Sequence, residues 1–420
     1  FRYSRMQKIK SEQVEYAKKA LIVIVSVLFI YLFFNEFEDQ HQTEPIVVVP
    51  KAENENMTRY ELGQRYYVYP KARTNTRVSI NIVVINTAGT KLENYEKAKN
   101  SLECYVALHG YNLFIEVDNK FEECAHHKDK FFRRHCHVHK LMETKMKEGD
   151  WVLVIDGDVG VINPKRLIEE YLEHGYEIYL VNRFYFWEYA MSNYIVKNNL
   201  RGRDWVDELA KWEFKLPQSM HGTDNGALHI FMMNYLVPET RDPKTRTRMA
   251  KLCYSLWERS VSWDDVFSME ACARMVIGER VYFPEQKVKI YNKGEGMARD
   301  LWIFHSHWAP DDFMFHSLKE ENFTPFPEND AGQQRCRQTL LKYHFNNSKD
   351  EPCHMVFPIL KKLNVERCKN GTEGWLMEGR LEIDNETRKK VYDKIAYQQL
   401  KEQMEHVGKT AGKIERMWMF

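Results

Sequence analysis

The chain has 420 residues, 44% of them apolar and 29% charged, which is enough to bury a substantial core with appendages and argues against a disordered chain. Its 61 Lys and Arg nearly cancel its 60 Asp and Glu, leaving a formal net charge of +1, so no basic field is available to hold nucleic acid as a partner.

The first 19 residues carry Arg2, Arg5, Lys8, Lys10, Lys18 and Lys19 ahead of an uninterrupted apolar run, 20–34 (ALIVIVSVLFIYLFF). With 1–19 as a cytosolic tail, the run reads as a single membrane anchor over 20–35, oriented by the positive-inside rule so that the rest of the chain is lumenal. Bulky Phe33, Phe34, Asn35 and Glu36 follow it and offer no small-residue site for signal cleavage. The expectation is type II topology in a Golgi or ER membrane. Sequons at Asn56, Asn322, Asn346, Asn370 and Asn385 and all eight Cys fall beyond the anchor, as an oxidising lumen would allow. Some disulfides are expected, with Cys336, Cys353 and Cys368 as staples of a C-terminal extension. Residues 36–77 are polar, with Pro45, Pro50 and Pro70, and read as a stem.

The folded domain is expected over 78–315. A β-branched strand at 78–87, an amphipathic helix at 95–108 capped by Gly110, a strand at 111–117, a helix at 133–147 and a strand at 151–155 (WVLVI) follow one another. That order predicts an α/β fold, a Rossmann-type, mostly parallel sheet flanked by helices, with ligands beyond the carboxyl ends of its strands. A helix at 165–174, a strand at 177–182, helices near 203–212 and 264–275, and strands near 280–283 and 301–305 continue the pattern. Residues 316–420 change character, with Pro and Asn turns and then a charged helix from about 386, and read as a C-terminal extension.

Asp156 and Asp158 stand directly after the third strand, where two carboxylates one residue apart can share a hard cation, and Gly157 lets backbone approach a phosphate. Asn86 and Thr87, at the end of the first strand, are placed to meet a nucleotide base or ribose, or form an ordinary turn. The glycine-punctuated stretch His221-Gly222-Thr223-Asp224-Asn225-Gly226 either aims Asp224 and Asn225 at a sugar, or starts a helix with Thr223 or Asp224 as its cap. In 302–310 (WIFHSHWAP), His305 and His307 share one face of an extended segment, and His305 is the expected third metal ligand.

These pieces together resemble a GT-A-type glycosyltransferase, and more closely the retaining galactosyl-, mannosyl- and xylosyltransferase family, together with a nematode family of predicted transferases whose substrates are unassigned. The stretch Tyr105-Val-Ala-Leu-His109-Gly110-Tyr111 resembles that family's "YA..HGY", and 151–164 (WVLVIDGDVGVINP) resembles its D-x-D block ending in Asn-Pro. The segment 190–198 (AMSNYIVKN) is similar to its donor-sugar segment, and 223–228 (TDNGAL) to its "D-Q-x-A-L" motif. The resemblance implies Mn²⁺ or Mg²⁺ on Asp156, Asp158 and His305, a nucleotide-sugar donor and a glycan acceptor. It also implies Asp224 and Asn225 beside the anomeric carbon, and Ala190, Ser192, His221 and Gly222 near the donor sugar or acceptor. Where the family continues from its His through a Gly to a diphosphate-binding Lys, this sequence has His305-Ser306-His307-Trp308, and His307 is the substitute for phosphate contact. An apolar strand before D-x-D also describes an aspartate-nucleophile phosphohydrolase with Asp156 as nucleophile. Chain order disfavours that rival, since two strand–helix units precede the acidic pair. A catalytically inactive relative that binds glycans or partners is the third reading.

Overall fold

The computed structural model describes residues 46–48, 64–68, 78–183, 187–237, 243–278, 280–304, 306–325, 329, 331–332, 334–335, 356–359, 362–370 and 374–395. The apolar run at 20–34 and most of 36–77 lie outside the described residues, and no described helix is long and apolar enough to cross a membrane. Val47–Phe420 forms one compact unit that continues across residue 316.

In chain order the elements that build the site are β1 (Gln64–Val68), β2 (Ile80–Asn86), α1 (Glu96–His109), β3 (Asn112–Val117), α2 (Lys130–Thr144), β4 (Trp151–Ile155), β5 (Gly160–Val161), β6 (Ile178–Val181) and β7 (Asn193–Lys197). There follow α3 (Leu200–Lys211), α4 (Thr223–Leu236), α5 (Pro243–Glu258), α6 (Trp263–Ile277), β8 (Tyr282–Phe283), β9 (Val288–Tyr291), β10 (Ala298–Asp300), β11 (Met314–His316), α7 (Val365–Lys369) and β12 (Gly374–Glu378). The main sheet has seven strands in the order β3-β2-β4-β7-β6-β9-β8. β3, β2 and β4 are mutually parallel, as are β6 and β9, while β7 runs antiparallel between β4 and β6. The sheet is therefore mixed α/β. The pairing of β7 was hidden in the sequence because four of its five residues are buried and its polarity does not alternate.

Alternate residues of the central strands enter opposite layers. Val83, Val152 and Val154 pack under α2, α3 and α4, against Phe132, Val138 and Trp205 among others. Ile82, Val84 and Leu153 pack on the other face against Leu102 and Tyr105 of α1. Helix starts follow local chemistry, as where Asp129 accepts from the Phe131 amide and Asn199 from the Gly202 amide. Helix α1 ends where Gly110 takes a left-handed φ of 73°.

Two expected elements differ. The helix at 165–174 is one 3₁₀ turn, Ile168–Tyr171. Beyond it the Tyr179 hydroxyl bonds both the amide and the carbonyl of Glu173, each at 2.8 Å, taking backbone groups a longer helix would need. The strand at 301–305 is a 3₁₀ turn at Leu301–Phe304, at the start of the connection that must carry the chain back to begin β11 parallel to β10. Within the expected stem, β1 pairs antiparallel with β12, so that part is structured.

Among the described residues, three disulfides join Cys104 to Cys368, Cys124 to Cys136 and Cys253 to Cys272. Cys368 thus clamps α7 to α1 instead of to its C-terminal neighbours, while Cys336 and Cys353 lie outside the described residues. The bond spans a sequence separation of 264, so it restrains a long stretch of the unfolded chain. Cys104→Ser with Cys368→Ser is expected to cost about 2–5 kcal/mol, read as a lower denaturation midpoint. An unchanged midpoint would mean that packing alone holds the C-terminal segment.

Candidate functional site

The register sets Val84 opposite Ile155, so the residues that follow run level and Asn86 comes beside Gly157. A Cβ on Gly157 would stand 2.6 Å from Asn86 Oδ1, so glycine permits the approach. The Asp156 amide donates to the Ser192 carbonyl at 3.0 Å, and the Val159 amide to the Asp156 carbonyl at 3.0 Å, which closes a turn after β4. Gly160 lets the chain leave that turn beneath α1, where a Cβ would meet Ala98 Cα at 2.9 Å.

The third member arrives through a small sheet. β5 begins two residues after Asp158 and pairs antiparallel with β11, which pairs parallel with β10. β11 ends in His316, and the Leu318 amide donates to the Asp158 carbonyl at 2.8 Å. His316 Nε2 then lies 3.4 Å from Asp158 Oδ1 and 3.9 Å from Asp156 Oδ2. One ligand atom from each of Asp156, Asp158 and His316 lies within 4.8 Å of the other two. On its other side His316 Nδ1 donates to Asp300 Oδ1 at 2.7 Å, and Arg183 grips Asp300 through Nε at 2.9 Å and Nη2 at 3.1 Å. Asp300 thereby fixes the tautomer that turns Nε2 to the acidic pair. Burial alone would lower the imidazole's proton affinity, but Asp158 and Asp300 outweigh it and push His316 up to about 10. Burial would raise Asp158, yet His316 and Lys319 hold it down to about 2. Lys319 Nζ sits 3.6 Å from Asp158 Oδ2, after Ser317 in the left-handed region at φ 79°.

Beneath the acidic pair, Arg134 joins two carboxylates: Nη1 pairs with Asp156, and Nη2 lies 2.6 Å from Asp224 Oδ2. Asp224 is 1% exposed. His135 Nε2 donates to it at 3.1 Å, and Nδ1 accepts from the Tyr194 hydroxyl at 3.1 Å, a tautomer consistent with burial keeping this imidazole neutral. Burial would raise Asp224, but Arg134 and His135 hold it well below the usual carboxylate range.

A cavity of about 250 Å³ opens on this cluster, lined among others by Asn86, Thr87, Tyr95, Phe131, Arg134 and Lys319. Asn86, Thr87, Gly157, Asp156 and Asp158 therefore share one cleft. Asp224 reaches it through Arg134. Gly222, at φ 70°, precedes α4, whose first turn contains Thr223, Asp224 and Asn225, so neither Thr223 nor Asp224 is the cap. Thr223 is itself left-handed at φ 52°, an unusual conformation for a β-branched residue. His221 Nδ1 accepts from the Thr223 amide, and the Asn225 carbonyl accepts from His229 at 2.7 Å. Ser192 supports the acidic turn through its backbone, while Ala190 is buried and its amide bonds Val181. His305 lies outside the described residues. His307 does not line the cleft: it is 2% exposed, and its Nδ1 donates to the Phe304 carbonyl at 2.8 Å because the chain turns there. Sequence reasoning missed His316, Lys319, Arg134 and Asp300.

The model of one family, described as protein of unknown function DUF273, matches residues 102–332. No curated protein matches the chain. Among solved structures, it is similar to a glycosyltransferase involved in glycosylation of the major capsid of PBCV-1, at 13% identity and a TM-score of 0.33, covering 57% of this chain and 93% of that one. It is also similar to the apo-form glycosyltransferase GlyE of Streptococcus pneumoniae TIGR4, at 11% identity and a TM-score of 0.26, covering 53% and 69%.

Proposed function

The chain belongs to the DUF273 family, whose matched span holds Asp156, Asp158, Asp224, His316 and Lys319, and we propose that it is a metal-dependent glycosyltransferase. It moves a hexose or pentose from a nucleotide diphosphate sugar, UDP-linked in the simplest case, to a glycan acceptor with retention of configuration. The observation that carries this reading is the convergence of Asp156, Asp158 and His316 at the mouth of a cleft, with Lys319 beside them.

The donor set fits a hard divalent ion. Two carboxylates and one oriented imidazole suit Mn²⁺ or Mg²⁺. Bound there, the ion would act as a Lewis acid for the charge that grows on the departing diphosphate. The remaining work falls to the chain's own groups. Lys319 is placed to contact a phosphate, Gly157 lets backbone approach, and Asn86 and Thr87 face the base or ribose. Asn225, in the first turn of α4, can donate to sugar hydroxyls. The acceptor hydroxyl attacks from the leaving-group face and gives its proton to a donor phosphate oxygen. The proposal includes a type II anchor and a Golgi or ER lumenal domain, supported by the apolar run at 20–34 and the disulfides.

A screen of the full chain against UDP- and GDP-sugars with Mn²⁺, following donor hydrolysis, tests this. Turnover of at least one donor, abolished by chelation, is expected; failure to bind any donor would sink the reading. A charged His316 must also lose its proton to become a ligand, since its folded value is about 10. Mn²⁺ uptake at pH 7 is therefore expected to release about one proton, measured calorimetrically in buffers of different ionisation enthalpy. Uptake without proton release would remove His316 from the ligand set. Asp300→Asn, which loosens the tautomer, is expected to weaken Mn²⁺ binding by about 10–100-fold in the same titration.

A further inference from the structure

Because β7 runs antiparallel between β4 and β6, and β9 runs parallel to β6, the carboxyl ends of β2, β4, β6 and β9 all lie at one edge of the main sheet. A second cavity, of about 350 Å³, lies against residues that follow β6 and β9 at that edge. At ordinary strand spacing it stands roughly 10–14 Å along the edge from Asp156. Asn182 follows β6, Lys293 follows β9, Arg274 and Arg280 come from α6 and the turn after it, and Tyr392 comes from the helix at 385–395.

The lining is rich in cations. Arg274 Nη1 donates to the Trp187 carbonyl at 2.8 Å, but its buried Nε has no partner. Among the described residues neither Arg274 nor Arg280 has a carboxylate within ion-pair distance, and Asp393 is the one acidic residue in the described lining against three basic ones. Lys293 Nζ donates to the Arg183 carbonyl at 3.0 Å. Burial first, and then the neighbouring Arg274, bring Lys293 down to about 7 against the opposing pull of Glu188. Asn182 is only 7% exposed, and its Oδ1 has no hydrogen-bond partner. The Tyr189 ring, 1% exposed and stacked on His229, has Arg274 4.4 Å above its centroid and so holds that guanidinium in place at the cavity. The cavity is also tied to the metal cluster, because Arg183, whose carbonyl holds Lys293, bonds Asp300 behind His316 and lies 2.6 Å from Glu188.

We infer that this second cavity is the acceptor subsite and takes an anionic saccharide, with Arg274 and Arg280 on its acidic group and Asn182 accepting from a ring hydroxyl. The acceptor role rests on the transferase reading; the anion preference stands on the lining alone. A carboxylate, a sulfate and a phosphate present the same chemistry of clustered acceptor oxygens to a guanidinium.

Nuclear magnetic resonance titration of the full chain with methyl glucoside, methyl glucuronide, and methyl glucoside 6-phosphate and 6-sulfate separates these sources. At least one anionic sugar is expected to bind about tenfold or more tightly than the neutral one, a preference that shrinks as salt is raised. Arg280→Gln, at an exposed position, should abolish the preference, and Arg280→Lys should keep part of it. Equal affinity for charged and neutral sugars, or a preference that survives both Arg280→Gln and Arg274→Gln, overturns the inference. Binding of UDP with Mn²⁺ is a separate arm. Its absence from the wild-type protein fails the transferase reading while leaving the anion result standing, whereas UDP binding without an anion preference fails only the subsite.

Discussion

Asp158→Ala is expected to lower metal-dependent donor turnover by about a thousandfold or more, equivalent to about 4 kcal/mol of lost leaving-group stabilisation. The magnitude follows from where the residue sits. Asp158 is 7% exposed, and His316 and Lys319 are its charged neighbours, so its carboxylate is the hub through which a cation and a phosphate would share one place. Removing it leaves Asp156 already engaged by Arg134, and a shell of one half-committed oxygen and one imidazole holds Mn²⁺ poorly. The loss should therefore grow at limiting Mn²⁺ and be partly recovered at high Mn²⁺. Steady-state turnover across a metal titration, with circular dichroism to check folding, measures it. Wild-type turnover in Asp158→Ala would mean that the acidic pair is a structural turn. Phosphate release from a generic ester that Asp156→Asn abolishes would instead revive the phosphohydrolase reading.

The acidic pair was legible because its context is local. Five consecutive apolar residues, Trp151–Ile155, rich in β-branched side chains and followed by Asp-Gly-Asp, read as an interior strand, and the residues after such a strand emerge at the sheet edge. The first strand, helix α1 and the Gly110 cap were legible for the same reason. His316 was not, since its place depends on β11 pairing with β5 and β10, a long-range fact with no periodic signature in three residues. One signal was present: His316 and Lys319 are three apart, with Ser317 between them in a conformation that glycine adopts most easily. That order resembles the His, Gly and Lys order sought at His305. The motif around His109 was visible for a different reason. His109 Nε2 donates to the Pro164 carbonyl at 2.7 Å and the Tyr105 hydroxyl to the Arg166 carbonyl at 2.8 Å, so the two family-like stretches brace one another outside the cleft. Arg134 was hidden by its helix, whose charged residues read as a solvated face although this guanidinium side chain is 14% exposed.

Arg134→Met is expected to cost about 3–5 kcal/mol of stability at neutral pH, because it strands a buried carboxylate. Asp224 would retain only uncharged donors, His135 and the Thr223 hydroxyl, and a charge that cannot reach water must either be destabilising or take up a proton. The pH dependence distinguishes this from lost packing. In the wild type, Asp224 is depressed below its unfolded value of about 4, so its pairing contributes stability above that pH and loses it as pH falls towards the folded value. Without Arg134 the folded carboxyl shifts upward and is protonated sooner. The penalty should therefore be largest near pH 7 and shrink below about pH 4, where the unfolded chain is protonated as well. Denaturation at both pH values reads the difference, and a penalty that is the same at each would show that Arg134 acts by packing alone. Because the same guanidinium also holds Asp156, the variant should alter Mn²⁺ affinity along with stability, which couples the first turn of α4 to the metal cluster through one side chain.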